Sequence, residues 1–194
     1  SKFGIAGKGA FEQDTLAHVG SFEFVIDLMS VINGEQIGIN SMLLDDPTIN
    51  VLVLADGQAN YNITFPSEEE VVEEETPATA FSVSIDHWQI NNANISYTDH
   101  TLAVSTSIKG LDHIGQGDFT QDLFDLTMNT TVKELSAVYE GVTYLHNKTA
   151  EIQMTLGMDL ENSTYTFKDN FFKINDFKIG MEGFVAMPGD DIEM

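Results

Sequence analysis

The sequence predicts a mainly β fold: repeated antiparallel hairpins forming a curved, bulged sheet, with at most short helical turns. Three observations carry this. Strand-length apolar–polar alternations fill most of the chain with no sustained helical period between them, and turn residues separate them at short intervals. The third observation is a repeat. The stretch Ile39-Asn40-Ser41-Met42-Leu43-Leu44-Asp45-Asp46-Pro47-Thr48-Ile49 matches Ile85-Asp86-His87-Trp88-Gln89-Ile90-Asn91-Asn92-Ala93-Asn94-Ile95, and a weaker copy fits Ile174 to Ile179. In each copy the apolar phase slips by one between its first two anchors. A strict period of two would turn the wrong side inward after that slip, so Asn40, Asp86 and Asn175 are the expected β-bulge positions.

The elements follow in order. Residues 1 to 20 are punctuated by glycine, with Phe11, Leu16 and Val19 as anchors. Ser21 to Leu28 alternates, with Phe22, Phe24, Ile26 and Leu28 on one face of a half-buried strand. A helical turn over Leu28 to Ile32 would end at Asn33-Gly34. The central unit then reads as a strand from Ile37 to Leu44, a turn at Asp45-Asp46-Pro47, and a second strand from Thr48 to Leu54. Proline lacks an N–H and aspartate favours turn geometry, so the break is chemically specified and an antiparallel hairpin is expected. Asp56-Gly57 makes the next turn.

Composition changes sharply at residues 66–80, where six glutamates fall between Glu68 and Glu75. Their repulsion and lack of apolar area predict a solvated acidic linker or disordered loop between units at 1–65 and 81–194. A calcium site is the alternative, but the glycine and alternate-position spacing of a calcium loop are absent. The second unit, which can continue the same sheet, has strands at Asn94 to Thr98, Leu102 to Ile108, Thr127 to Tyr139 and Ala150 to Asp159. Others are expected at Thr164 to Phe167, Phe171 to Ile179 and Gly183 to Met187. Asp99-His100, Asn91-Asn92, Gly115-Gln116-Gly117, Gly141, Glu161-Asn162 and Pro188-Gly189 supply turn or bulge signals, and Asp122 to Leu126 reads as one helical turn.

A net charge of −23, with all eight basic residues lysines, argues against nucleic acid and against electrostatic docking on anionic membranes. Any lipid contact would be apolar. The chain opens at Ser1 and reads as a mature or excised segment. Zero cysteines exclude a disulfide framework and a thiol nucleophile.

The residues offer little chemistry and imply no cofactor. The five histidines stand singly, without metal-ligand spacing, and read as turn or surface residues. Asp118, Asp122 and Asp125 would share a face if helical, the one arrangement that suggests a paired-carboxylate hydrolase. Phe119, Leu123 and Phe124 are interleaved with them, and no nucleophile elbow or phosphate loop is present, so a non-enzymatic module is expected.

The stretch from Phe22 to Ile63 resembles the N-terminal periplasmic part of the AsmA family. The resemblance rests on the turn Leu44-Asp45-Asp46-Pro47-Thr48-Ile49 and the box Asp56-Gly57-Gln58-Ala59-Asn60-Tyr61, where Gln58 stands for the family's arginine and Tyr61 for its tryptophan. Ile90-Asn91-Asn92-Ala93-Asn94-Ile95-Ser96-Tyr97 and Leu111 to Phe119 are similar to the blocks that follow in AsmA-like proteins of the Bacteroidetes type. The resemblance implies a periplasmic module of a protein tethered to the inner membrane by an N-terminal helix and related to bridge-like lipid-transfer proteins. Its implied role is outer-membrane assembly and phospholipid transport, with an apolar sheet groove for acyl chains. Met42, Leu44, Trp88, Ile90, Met128, Met154, Met158, Phe177, Ile179 and Met181 are then the candidate lipid contacts. A closed β scaffold that binds envelope proteins is the alternative.

Overall fold

The structure, a computed structural model, describes residues 3–12, 14–26, 37–63 and 83–187. Its strands are β1 (Phe3–Ala6), β2 (Thr15–Val19), β3 (Ser21–Ile26), β4 (Ile37–Asp45), β5 (Thr48–Val53), β6 (Val83–Asp99), β7 (Val104–Gln116), β8 (Leu123–Tyr139), β9 (Val142–Asp159), β10 (Thr164–Ile174) and β11 (Phe177–Ala186). The sole helical element among the described residues is the 3-10 turn Gly9–Phe11. All eleven strands belong to one open sheet in the order β1-β2-β5-β6-β7-β8-β9-β10-β11, with β3 and β4 continuing the same layer beside β6. Strands from both sides of the acidic stretch thus share one sheet. That stretch, the helical turn at 28–32 and the Pro188-Gly189 turn lie outside the described residues.

The central unit corrects one expectation. Strands β4 and β5 do not pair with each other; both run parallel to β6, end to end along it. Ile39 pairs with Ile85, Asp45 with Asn91, Thr48 with Asn94 and Ile49 with Ile95. The first two repeat copies therefore lie side by side, each residue against its own counterpart. The Asp45-Asp46-Pro47 signal breaks a strand, as a hairpin turn would, but here the chain kinks and resumes in the same direction.

The kink is fastened to a matching irregularity in β6. Asp46 adopts a left-handed φ of 50° and Asn92 one of 52°. The Asn91 amide donates to Asp45 Oδ1 at 2.7 Å and the Asn92 amide to Asp46 Oδ1 at 2.6 Å, while the Asp46 N–H donates to the Asn91 carbonyl. On the far side, β2 and β3 form a broken strand antiparallel to β4 and β5, with Gly20 at the break donating its N–H to the Asp45 carbonyl.

Beyond β6 the chain is an antiparallel meander of long strands. Strand β6 alone has 17 residues, roughly 55 Å at about 3.3 Å per residue. A bulge interrupts each neighbour in turn: near Asn92 in β6, Gly110 in β7, residues 133–134 in β8, residues 146–147 in β9 and Asp169 in β10. Each inserts one residue and so shifts the alternation by one.

Some local expectations differ in outcome. Asn40 sits at a register shift between β3 and β4, as expected of a bulge. Asp86 stands opposite it in a parallel register that carries no recorded shift. Asn175 is no bulge: with Asp176 it forms the tight turn between Ile174 and Phe177, so the third repeat copy is a hairpin corner and Phe171 to Ile179 is two strands. The Gly115-Gln116 pair lies within β7, and the β7–β8 turn falls over residues 118–122. Asp122 to Leu126 runs into strand β8, not a helical turn, because Leu123 to Leu126 pair with Leu156 to Asp159.

Candidate functional site

Following the register across the sheet separates its two faces. On one face Met42, Trp88, Gly115, Met128 and Met154 stand in one row. Ile90, His113, Thr130, Ile152, Phe172 and Ile179 form the next. Ala93, Leu111, Val132, Ala150, Ile174 and Phe177 form a third. The opposite face carries Asp112, Thr131, Glu151, Lys173 and Lys178 in one row, with the ion pairs Lys109–Glu134, Lys168–Asp125 and Lys173–Glu151. These exposed pairs contribute little to stability. They do mark that face as the solvated one.

The bulges explain how the apolar face stays continuous. In β6 it is built from even positions, Trp88 and Ile90, before Asn92 and from odd positions, Ala93, Ile95 and Tyr97, after it. In β7 it passes from Leu111 and His113 to Ile108 and Thr106 across Gly110, whose φ is +60°. Each slip in the sequence is cancelled by an extra residue in the backbone. Without those insertions half of every long strand would present its apolar side to the polar face.

All ten candidate lipid contacts lie on this apolar face. Leu44 is level with Ile90, Met158 pairs with Phe124 and Tyr165, and Met181 follows Ile179 along β11. Ile152, Met154, Asn170, Phe172, Ile179 and Met181 border a shallow depression of about 190 Å³. Among the described residues no second layer covers the face. Along its third row the short Ala93, Val132 and Ala150 are buried, whereas Phe22, Phe24, Ile179 and Met181 remain 41–49% exposed. Strand β3 was expected to be half-buried; it has the expected alternation, but its aromatic side is uncovered. A soluble protein seldom leaves so broad an apolar surface without an occupant.

The two ends of this face differ. At one end the turn over residues 54–63 folds back, and Val53, Ala59, Asn60 and Asp99 are buried, with Phe11 buried in the neighbouring turn. Asn60 is the anchor: its Oδ1 accepts from the Leu52 N–H at 3.0 Å and its Nδ2 donates to the Asn50 carbonyl at 2.7 Å. Asp56-Gly57 forms the expected turn, with Gly57 at φ 85° and the Gln58 N–H donating to Asp56 Oδ1. Asp99 accepts from the Thr101 hydroxyl and from the Thr101 and Leu102 N–H groups, which hold its carboxyl below the usual range. At the other end Phe119 leans on Phe124 and Trp88, with ring centroids 5.0 and 6.2 Å apart.

One polar line crosses the apolar face. Trp88 Nε1–H donates to His113 Nε2 at 2.9 Å, and His113 Nδ1 lies 2.8 Å from the Thr130 hydroxyl. Indole can only donate, so Nε2 is the acceptor and the ring proton sits on Nδ1. Burial pushes the His113 pKa below its ordinary value. A surface histidine was expected here. The available signal was the spacing Leu111-x-His113-x-Gly115, which puts the imidazole on the apolar side.

Two of the three aspartates are engaged elsewhere, and the expected helix that would have set them on one face is absent, since residues 123–126 are strand. Asp118 accepts from the Thr120 hydroxyl and N–H within its own turn, and Asp125 pairs with Lys168 at 2.6 Å. No group of three histidine or acidic side chains among the described residues is placed to hold a metal ion. No family model, curated protein or solved structure matches the chain.

Proposed function

We propose that this protein is a non-enzymatic, AsmA-like module of the bacterial envelope that presents its open apolar sheet face to phospholipid acyl chains. One observation carries the reading: a single-layer sheet whose bulges keep one face apolar along strands roughly 55 Å long, with no layer over it among the described residues. Each acyl methylene moved from water onto such a surface contributes about 0.8 kcal/mol when fully buried. Unbranched methionines at 42, 128, 154, 158 and 181 adapt to chains of varied shape. The described apolar face carries no cluster of cationic groups to select a headgroup, which favours a conduit for many lipids over a selective carrier. Periplasmic placement, an inner-membrane tether and a role in outer-membrane assembly belong to the same proposal and rest on the family resemblance alone.

The test is extraction of the purified chain followed by lipid mass spectrometry, alongside M128D/M154D. Phospholipid is expected with the parent chain and not with the variant, both showing the same β circular dichroism. A parent chain free of lipid that also fails to take up a fluorescent fatty acid would overturn the reading in favour of a closed scaffold that binds envelope proteins.

A further inference from the structure

Among the described residues the sheet ends on β11, a ten-residue strand with a neighbour on one side only. Asn175-Asp176 is a two-residue turn, so Ile174 and Phe177 form the closing hydrogen-bonded pair of the β10–β11 hairpin. Peptide groups alternate in direction along an antiparallel strand. Those of Phe177, Ile179 and Met181 therefore point at β10, and the Asn170 amide indeed donates to the Met181 carbonyl. Those of Lys178, Gly180 and Glu182 point outward.

This outward edge is complementary to itself. Two copies of β11 related by a two-fold axis through Gly180 would set Gly180 against Gly180 and each Lys178 against Glu182 of the other copy. Each such pair exchanges both of its N–H···O bonds. On the apolar side the same register sets each Ile179 against Met181 of the other copy, and both of these are 49% exposed in the single chain. Lysine and glutamate on an edge strand ordinarily keep other strands away. Placed symmetrically about a glycine, they attract a second copy instead. The Lys178 ammonium is already held on the polar face, 3.7 Å from the Phe171 ring centroid. An axis normal to the sheet leaves both apolar faces on the same side.

We infer that β11 is a dimerisation edge, taking a second copy of this chain in an antiparallel, two-fold pairing centred on Gly180. The inference does not depend on lipid binding. Sedimentation velocity of the full chain over a concentration series tests it, with K178E, E182K and K178E/E182K. The parent chain and the double variant are expected to dimerise. Each single variant opposes two like-charge pairs and should dimerise at least about tenfold more weakly. An equimolar mixture of K178E and E182K restores both pairs and should recover the dimer. A parent chain that stays monomeric, single variants that associate like the parent, or a mixture that behaves as its separate components would each overturn the assignment. Circular dichroism of each variant separates loss of pairing from loss of folding.

Discussion

The closed end of the sheet and its open face are made from the same strands and behave oppositely. Around Val53, Ala59 and Asn60 the chain folds back on itself, buries side chains and hydrogen-bonds both polar atoms of the buried Asn60 amide. Along Met128, Met154 and Ile179 comparable apolar side chains stand in one layer: Met128 and Met154 are only partly covered, and Ile179 stays 49% exposed. Stability should therefore concentrate at the closed end, and tolerance of substitution on the open face. The proposed lipid contact rests on this contrast, since a bulge in strand after strand keeps the open face apolar.

The largest expected effect is at the closed end. Asn60→Ala removes an amide that satisfies the buried Leu52 N–H and Asn50 carbonyl, and should cost about 3 kcal/mol, read from urea denaturation. If it costs no more than an open-face substitution, the contrast between the regions fails. Gly115→Val comes next. An added Cβ there would overlap the Trp88 ring, so a cost of about 2 kcal/mol is expected, with a shift in the emission of the single tryptophan. Met154→Ala should be smaller, under about 1 kcal/mol because the side chain is only partly covered, while reducing bound lipid per chain.

The smallest effect is a pH dependence at His113. Its pKa lies below the ordinary 6.5 because burial disfavours the charged ring. The unfolded chain therefore binds the proton first as pH falls. The stability from the neutral ring is complete above 6.5 and declines as pH drops through 6.5 toward the lower folded value. Protonation of the folded chain also puts a donor on Nε2, breaking the bond from Trp88, so the tryptophan emission should change at the lower, folded-state end of that window. H113Q, which cannot titrate, should abolish that change; if the transition persists unaltered, the polar line is not its source.

Much of the local structure is legible in the residues. Asn40 sits where the apolar phase slips and Asn92 in a polar turn-or-bulge signal, and both irregularities are real, whereas Asp86 carries the same slip without a register shift beside β4. Asn175 carries the same signal with a different result. Its neighbours Ile174 and Phe177 can close a two-residue turn, and a left-handed asparagine serves a turn as well as a bulge. The Asp45-Asp46-Pro47 break is equally readable, but which strand lies beside it is not. The setting of His113 is not legible locally, because its partner, the Trp88 indole, is 25 residues away in the sequence.

By itself the sequence determines a β chain with no membrane-spanning helix among the described residues, the strands, the positions where they slip, and the acidity of the surface. Composition and alternation are local properties, so one chain suffices to read them. The tertiary structure decided that the two best repeat copies lie parallel and in step, and that the apolar face remains uncovered among the described residues. Both depend on which strands meet. Backbone hydrogen bonding is the same for any partner of suitable register, so the choice rests on contacts between residues far apart along the chain.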